Sequence, residues 1–534
     1  MKDNVVDTDK DIEEKALKFK EYLPKKFLGY IKNWYFLLFI ILLIVVFITR
    51  LKFLFVDSIW NDETVYMWNA VRLLMEPSYL FSKYFLNDAI IPQFIIAFFK
   101  IFTTTFNAGR LMALFYSIFG IISVYLLGKE VKNEAVGLIA TILISFNHIY
   151  WFIGSKTLID APIAAMIVFS AYCLLKFEKK QNVRWAVIAG ISSILPIITK
   201  GVGSLVLFIF PIYFLITRHK NILKDRLGLL VLAFPVGVLT LGNLIYFIII
   251  GKFFTTNIFS LILRFSGAET PFNFTLNLLS FVLNWWVSPF LILGVILAFV
   301  YRKREDILLL VFFFVYLLFT EFSLGRDTEV IPRFLLTVLP IAVVFVAKTF
   351  SEIVIYLKVL TKVKIGMWIF VIIAVIMAVP FYNLALDGLF NAGRNVSFSG
   401  YQEGGDWLKN NAEKNALIYA TAPRQIRAFA EREYIFDGDG EDRGGTLSYI
   451  SSFKTIEEFG QEITNRLLEE ERPIYIYSDL WESGQPDWIT RLDPDKAVQL
   501  EQLGFMPVYV VERDVPTNTG FQKAAVGIIL KKNG

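Results

Sequence analysis

Eleven stretches of this chain run apolar for long enough to enter or cross the hydrocarbon of a membrane, near residues 34–55, 108–128, 135–152, 160–175, 185–199, 203–217, 227–250, 277–300, 307–322, 332–347 and 365–382. A span needs about 20 mostly apolar residues. In lipid each must satisfy its own backbone donors and acceptors, so open-ended spanning segments are helices. The sequence therefore predicts a polytopic α-helical membrane protein of about 11 transmembrane helices. Composition agrees, with 56% hydrophobic and 19% charged residues against about 45–50% and about 25% in soluble domains.

Charge divides the chain in two. Leu384 to Gly534 carries 24 acidic and 16 basic residues, net −8, and residues 1–383 carry 24 acidic and 37 basic, net +13. The basic excess sits in short loops of alternate sidedness, such as Lys176, Lys179, Lys180 and Arg184, or Arg302, Lys303 and Arg304. The positive-inside rule makes these loops cytoplasmic, together with the basic N-terminal segment 1–33, which is too long and charged for a cleavable signal peptide. An odd number of spans then places 384–534 outside. The basic excess suits lipid headgroups. No nucleic-acid-binding motif occurs, and no nucleic-acid partner is expected.

Three parts follow: a cytoplasmic segment 1–33, a membrane domain 34–383 and an extracytoplasmic domain 384–534. In the last, short apolar strands (416–420, from Tyr434, from Pro473, from Pro507 and from Ala525) alternate with polar helical stretches such as the one from Thr455, the pattern of an α/β domain. It lacks a phosphate loop and a nucleophile elbow. The first outer loop, about 56–107, holds two segments with apolar residues at helical spacing, DSIWNDETVYMWNAVRLLM and PQFIIAFFKIF. Both read as amphipathic helices lying at the membrane surface, with a short or re-entrant span as the alternative for the second.

Cys173 is the single cysteine, and His148 and His219 are the only histidines. Internal disulfides and cysteine-cluster or multi-histidine metal centres are therefore excluded. Ionisable residues within or beside spans mark functional sites by default. The expected outer face collects Asp62, Glu63, Arg110, Asp160, Lys200, Arg264, Glu269, Arg326 and Arg333. Carboxylates for proton transfer beside cations for a phosphate suit group transfer from a lipid phosphate. For each arginine the plain alternative is a snorkelling anchor.

Four segments in order carry a family resemblance: WNDETVY at 60–66, GRLMALFYSIFG opened by Gly109 and Arg110, TLIDAPIAA with Asp160, and ITKGVG with Lys200; IPRFLLTVLP with Arg333 extends the series. Together they resemble the GT-C glycosyltransferases, in particular the family 39 group of protein O-mannosyltransferases and aminoarabinose transferases, over roughly residues 30–380. The resemblance implies an inverting transferase that takes a sugar from a polyprenyl-phosphate donor to a hydroxyl-bearing acceptor (protein, lipid or glycan) on the extracytoplasmic face of the cell membrane. Asp62 and Asp160 would be catalytic, Glu63 their supporting neighbour, and Lys200, Arg110, Arg326 and Arg333 the donor-phosphate ligands. No cofactor is certain, and a divalent metal stays open. The chain departs from the group in the first loop, where FLNDAIIPQF offers Asp88 and Pro92 without the Lys or His expected there, which leaves the acceptor class open. Trp285 and Trp286 lie in an apolar segment and are followed by Val287, which disfavours peptide N-glycosylation. Asn273 and Asn395 begin N-x-S/T sequons.

The main rival is a transporter or flippase of polyprenyl-linked sugars, which needs a similar groove and similar cations; no internal repeat of the kind common in transporters is visible. The long acidic first loop separates the two, since a catalyst uses it to cover a cavity. The topology is directly testable: a compartment reporter fused after Asn383 should report the side opposite the N-terminus. A cytoplasmic signal would place Asp62 and Asp160 on the wrong face.

Overall fold

The computed structural model describes residues 33–55, 59–82, 89–218, 224–251, 272–324, 332–361, 366–390, 399–433, 435, 445–469, 472–479, 481, 489, 494–517 and 520–532. The first half holds helices α1 (Trp34–Phe53), α2 (Asn61–Met75), α3 (Ile90–Lys100), α4 (Thr105–Val131), α5 (Glu134–Phe146), α6 (His148–Gly154), α7 (Asp160–Lys180), α8 (Val183–Ile197), α9 (Val206–Arg218) and α10 (Arg226–Ile250). There follow α11 (Asn273–Asn277), α12 (Ser288–Tyr301), α13 (Arg304–Leu324), α14 (Leu339–Thr361) and α15 (Met367–Phe390). Among the described residues seven helices are long and apolar enough to cross a membrane, eight if the bent pair α5 and α6 is counted as one span.

Several expected spans are interrupted. The apolar stretch 277–300 is split: α11 runs into a π-helical turn, Leu278–Val282, and α12 starts afresh at Ser288 after Asn284 takes a left-handed φ of 62°. The stretch 332–347 opens as a 3-10 turn, Pro332–Thr337, ahead of α14. Between α5 and α6 the axis bends by 65° at Asn147, whose side chain accepts from the backbone N–H groups of Ile149 and Tyr150, each at 3.1 Å. A bend frees carbonyls that lipid cannot satisfy. Here Arg50, at the end of α1, donates to the Ser145 carbonyl at 3.0 Å and to the Ser117 hydroxyl. Its guanidinium lies 5.3 Å from the Tyr150 ring and 5.4 Å from the Trp151 ring, so aromatic faces and neutral acceptors compensate this buried cation.

The two first-loop helices part ways. Phe94 and Phe98 of α3, and Ile101 and Phe102 just past its end, are exposed, as an interfacial helix requires. The apolar face of α2 is instead covered by protein. Its Met67, Trp68 and Val71 share one core with Ile426 and Phe429 of a helix beyond residue 400, while its other side packs on α3 and α4.

That later region contains α16 (Tyr401–Asn411), β1 (Leu417–Ala420), α17 (Pro423–Ala430), β2 (Leu447–Tyr449), α18 (Ile456–Glu469), β3 (Ile474–Asp479), α19 (Pro494–Gln502), β4 (Phe505–Thr517) and β5 (Gly520–Lys532). The sheet order is β2-β1-β3-β5-β4, with β1 parallel to β2 and β3, and β5 antiparallel to β3 and β4. Four of the five expected strands are present. The one expected from Tyr434 falls mostly outside the described residues, and β2 lies beyond it. Helix α17 seats the sheet on α2: Arg427 lies 5.5 Å over the Trp68 ring, and the ion pairs Arg72–Glu433 (3.2 Å) and Lys100–Glu431 (3.3 Å) flank the contact.

Trp68 is buried within this seam, and truncating a buried Trp costs about 3–5 kcal/mol. Trp68→Ala should therefore loosen the sheet from α2. Hydrogen exchange in residues 423–430 should rise while α4 and α7 stay protected.

Candidate active site

The acidic pair at the start of α2 separates at once into two roles. Glu63 is wholly buried. Its Oε1 accepts from the Trp60 backbone N–H at 2.9 Å and from Arg110 at 3.2 Å, and its Oε2 accepts from the Thr157 N–H at 2.6 Å. Arg110, also wholly buried, donates onward to the Ser155 carbonyl at 2.6 Å. Lys156 closes the knot: its Nζ is 3.9 Å from Glu63 and 4.6 Å from the centre of the Trp60 ring. A single carboxylate thus joins the start of α2, the start of α4 and the 155–157 loop. Gly109 makes the closure feasible, because a Cβ there would stand 2.5 Å from the Met67 methyl and from the Thr157 hydroxyl.

Asp62, the other half of the pair, faces outward and is about half exposed, and its Oδ2 accepts from Arg333 at 2.8 Å. Helix α2 begins at Asn61, and the capping acceptor is Glu63 at the third position. The Asp62 carboxylate is therefore not used as a cap and is turned to Arg333. Asp160 stands in the first turn of α7, three residues after Thr157, and accepts from Lys200 at 3.0 Å. Lys200 follows α8 and opens the 3-10 turn Gly201–Leu205. Gly203 in that turn lies against the Pro196 carbonyl, where a Cβ would collide with backbone. The glycine thus lets the turn fold tightly, and the space beside it is filled by the chain itself.

The two carboxylate–cation pairs meet around one ring. Arg333 lies 5.3 Å and Lys200 5.9 Å from the centre of the Phe334 ring. Burial pulls the Arg333 guanidinium down, and the charges of Asp160 and Asp62 outweigh it and hold the group above its ordinary value. Both carboxylates therefore act on the same cation. The result is a partly exposed cluster of two acids and two bases, drawn from α2, α7, the turn after α8 and the turn before α14.

Of the residues singled out in the sequence, Asp62, Asp160, Lys200 and Arg333 come together here. Glu63 lies behind them as a supporting group. Arg110 is not brought to the cluster: it is spent on Glu63 and Ser155 in the interior. Arg326, Arg264, Glu269 and Asp88 lie outside the described residues, as does the Asn395 sequon. In the Asn273 sequon, the Thr275 hydroxyl donates to Glu321 at 3.1 Å. Lys156 and Glu321 were not singled out by sequence. The cue for Lys156 is its place four residues before Asp160, in the loop that leads into α7. No three carboxylate, imidazole or thiol groups converge to hold a metal among the described residues, and Asp62 and Asp160 are each engaged by a side-chain cation.

Residues 88–265 match the family model described as dolichyl-phosphate-mannose-protein mannosyltransferase. Solved structures extend the likeness over nearly the whole chain. The oligosaccharyltransferase AglB from Archaeoglobus fulgidus, in complex with an inhibitory peptide and a dolichol-phosphate, superposes with a TM-score of 0.58 at 15% identity, over 93% of this chain and 74% of that one. ArnT from Cupriavidus metallidurans bound to undecaprenyl phosphate gives 0.58 at 13% identity, over 93% and 97%. The chain has the GT-C fold. The mycobacterial arabinofuranosyltransferase AftD shares the GT-C fold at a TM-score of 0.53 and 12% identity, over 92% of this chain and 40% of that one. No curated protein matches the sequence.

Within this GT-C scaffold Glu63 should act through position. Glu63→Ala leaves Arg110 and Lys156 buried without their carboxylate, a loss of about 3–5 kcal/mol, visible as a lower thermal midpoint. Asp62→Asn, at an exposed position, should leave that midpoint nearly unchanged.

Proposed function

We propose that this protein moves a sugar from a polyprenyl-phosphate donor to a hydroxyl acceptor on the membrane face opposite its basic loops, with inversion at the anomeric carbon. The observation that carries the reading is the paired arrangement around Phe334, Asp62 with Arg333 and Asp160 with Lys200. Transfer breaks the bond between the anomeric carbon and a phosphate oxygen and forms a bond from that carbon to the acceptor oxygen. The leaving polyprenyl phosphate gains negative charge, which Lys200 and Arg333 stabilise. The acceptor proton passes to a carboxylate on the opposite side of the sugar.

Asp62 is the better placed of the two acids for that proton. It is half exposed, whereas Asp160 is nearly buried against Lys200. As Arg333 turns its charge toward the donor phosphate, Asp62 is released from its present partner to accept the proton. Asp160 holds Lys200 in place for the leaving group. Glu63 and Arg110 set the height of both acids, and α17 with its sheet covers α2 from outside. The three-part division 1–33, 34–383 and 384–534 belongs to the same proposal, its second boundary falling within α15.

Ion pairs on the basic-loop side speak against transport. Glu178 of α7 is shared by Arg218 of α9 and Arg304 of α13, Arg218 also pairs with Asp225, and Lys348 of α14 pairs with Asp306 of α13. A transporter opening on that side would have to break these ties.

The test is incubation of the purified protein with a polyprenyl-phosphate sugar and a hydroxyl acceptor, following release of polyprenyl phosphate. Asp62→Asn should slow release by about 100- to 10,000-fold, the usual range for a lost general base. Lys200→Ala should weaken donor binding while the fold persists. Near-parental release by Asp62→Asn would pass the proton-accepting role to Asp160, and movement of intact donor across vesicles without any release would replace catalysis by transport.

A further inference from the structure

On the exposed surface of the bundle, α9, α12 and α13 enclose an open apolar groove of about 460 Å³. Its walls include Ile212 and Ile216 of α9, Phe299 of α12, and Ile307, Phe314 and Leu318 of α13. Ile307 to Leu318 spans about 16 Å along a helix, close to half of the roughly 30 Å hydrocarbon core. One leaflet's depth of apolar wall is therefore available.

One end of the groove is charged. Arg302 lines it, in the basic loop between α12 and α13, on the side where α9 ends and α13 begins. Its φ is +51°, a left-handed conformation at a helix end where glycine or asparagine is usual. Its Nε donates to the Phe299 carbonyl at 3.0 Å. The neighbouring Arg218 and Arg304 spend their charge on Glu178. Among the described residues no carboxylate stands within ion-pair distance of Arg302, which is exposed. A guanidinium fixed through Nε presents its two terminal nitrogens as a fork, the geometry that binds a phosphate through two parallel hydrogen bonds.

We propose that this groove binds one acyl chain of an anionic phospholipid from the leaflet on the basic-loop side, with the lipid phosphate held by Arg302. The apolar walls select a chain and the unshared cation selects net negative charge, since a zwitterionic headgroup brings its own cation to the same fork. Lys303, next in sequence, adds a second positive charge at the rim.

The experiment uses the full-length protein, stripped of lipid in detergent and given either phosphatidylglycerol or phosphatidylcholine of the same acyl chains. Native mass spectrometry counts the lipid retained, and the thermal midpoint is read in parallel. We expect one phosphatidylglycerol to be retained, with a raised midpoint, and phosphatidylcholine to be lost. Arg302→Gln should weaken phosphatidylglycerol retention about tenfold, the order expected for a lost charge-assisted contact. Ile216→Trp fills the groove from an exposed wall and should weaken retention while leaving Arg302 in place. Equal retention of the two lipids, or an Arg302→Gln protein that holds phosphatidylglycerol as the parent does, would overturn the site and leave ordinary boundary lipid. Full retention by Ile216→Trp would also overturn it, because the headgroup contact would then need no chain in the groove.

Discussion

A carboxylate sealed from water must find all of its compensation in protein, and the end of the bundle that carries Asp62 and Asp160 is arranged around the one at Glu63. Its partners are a backbone N–H at the start of α2, an arginine on α4 and a backbone N–H in the loop before α7. Those are the three elements whose relative placement decides where Asp62 and Asp160 stand. One acid is adjacent to Glu63 in sequence and the other is three residues past its loop partner, so a common origin locates both. Rigid support of this kind is what reacting groups need, because small misplacements are costly in rate.

Lipid gives helices no hydrophobic reason to prefer one another, so polar ties and close packing fix a bundle in a membrane. This one is tied at both ends and within. The Glu63 knot gathers one end, the Glu178 ion pairs gather the opposite end, and Arg50 stabilises the bend between α5 and α6 by meeting the Ser145 carbonyl. Arg50 also shows why such a bend can exist in an apolar setting. The backbone groups released at Asn147 are met by side chains from α1 and from Asn147 itself, so the break leaves the 155–160 loop free to turn toward α2.

The sequence was most informative where chemistry and order coincide: the Asp-Glu pair, Asp160, Lys200 and Arg333 appear in the order of the family resemblance, and four of the five meet around Phe334, with Glu63 behind them. It could not distinguish Arg110 from Arg333. Both are arginines opening an apolar run, and what separates them is depth, which depends on how closely Gly109 lets α2 and the 155–157 loop approach α4. Nor could it pair Asp62 with Arg333, since they lie 271 residues apart. The breaks at Asn147 and Asn284 sit inside runs that read as continuous by hydropathy, because the flanking residues stay apolar on both sides. Strand β2 escaped notice for a simpler reason: three residues are too few to show alternation.

The covering of α2 has a consequence for biosynthesis. The face bearing Met67, Trp68 and Val71 is made early, by residue 75, whereas the helix that covers it, Pro423–Ala430, is made only after the membrane helices are complete. At translation rates of about 5–20 residues per second the interval is on the order of tens of seconds. During that time α2 exposes an aromatic surface with its permanent cover still unsynthesised, and the acid beside it lacks the support of the sheet. Completion of the chain is therefore also the step that seats its first loop, and a ribosome that stops before residue 423 leaves a membrane bundle whose outermost helix has only one of its two faces packed.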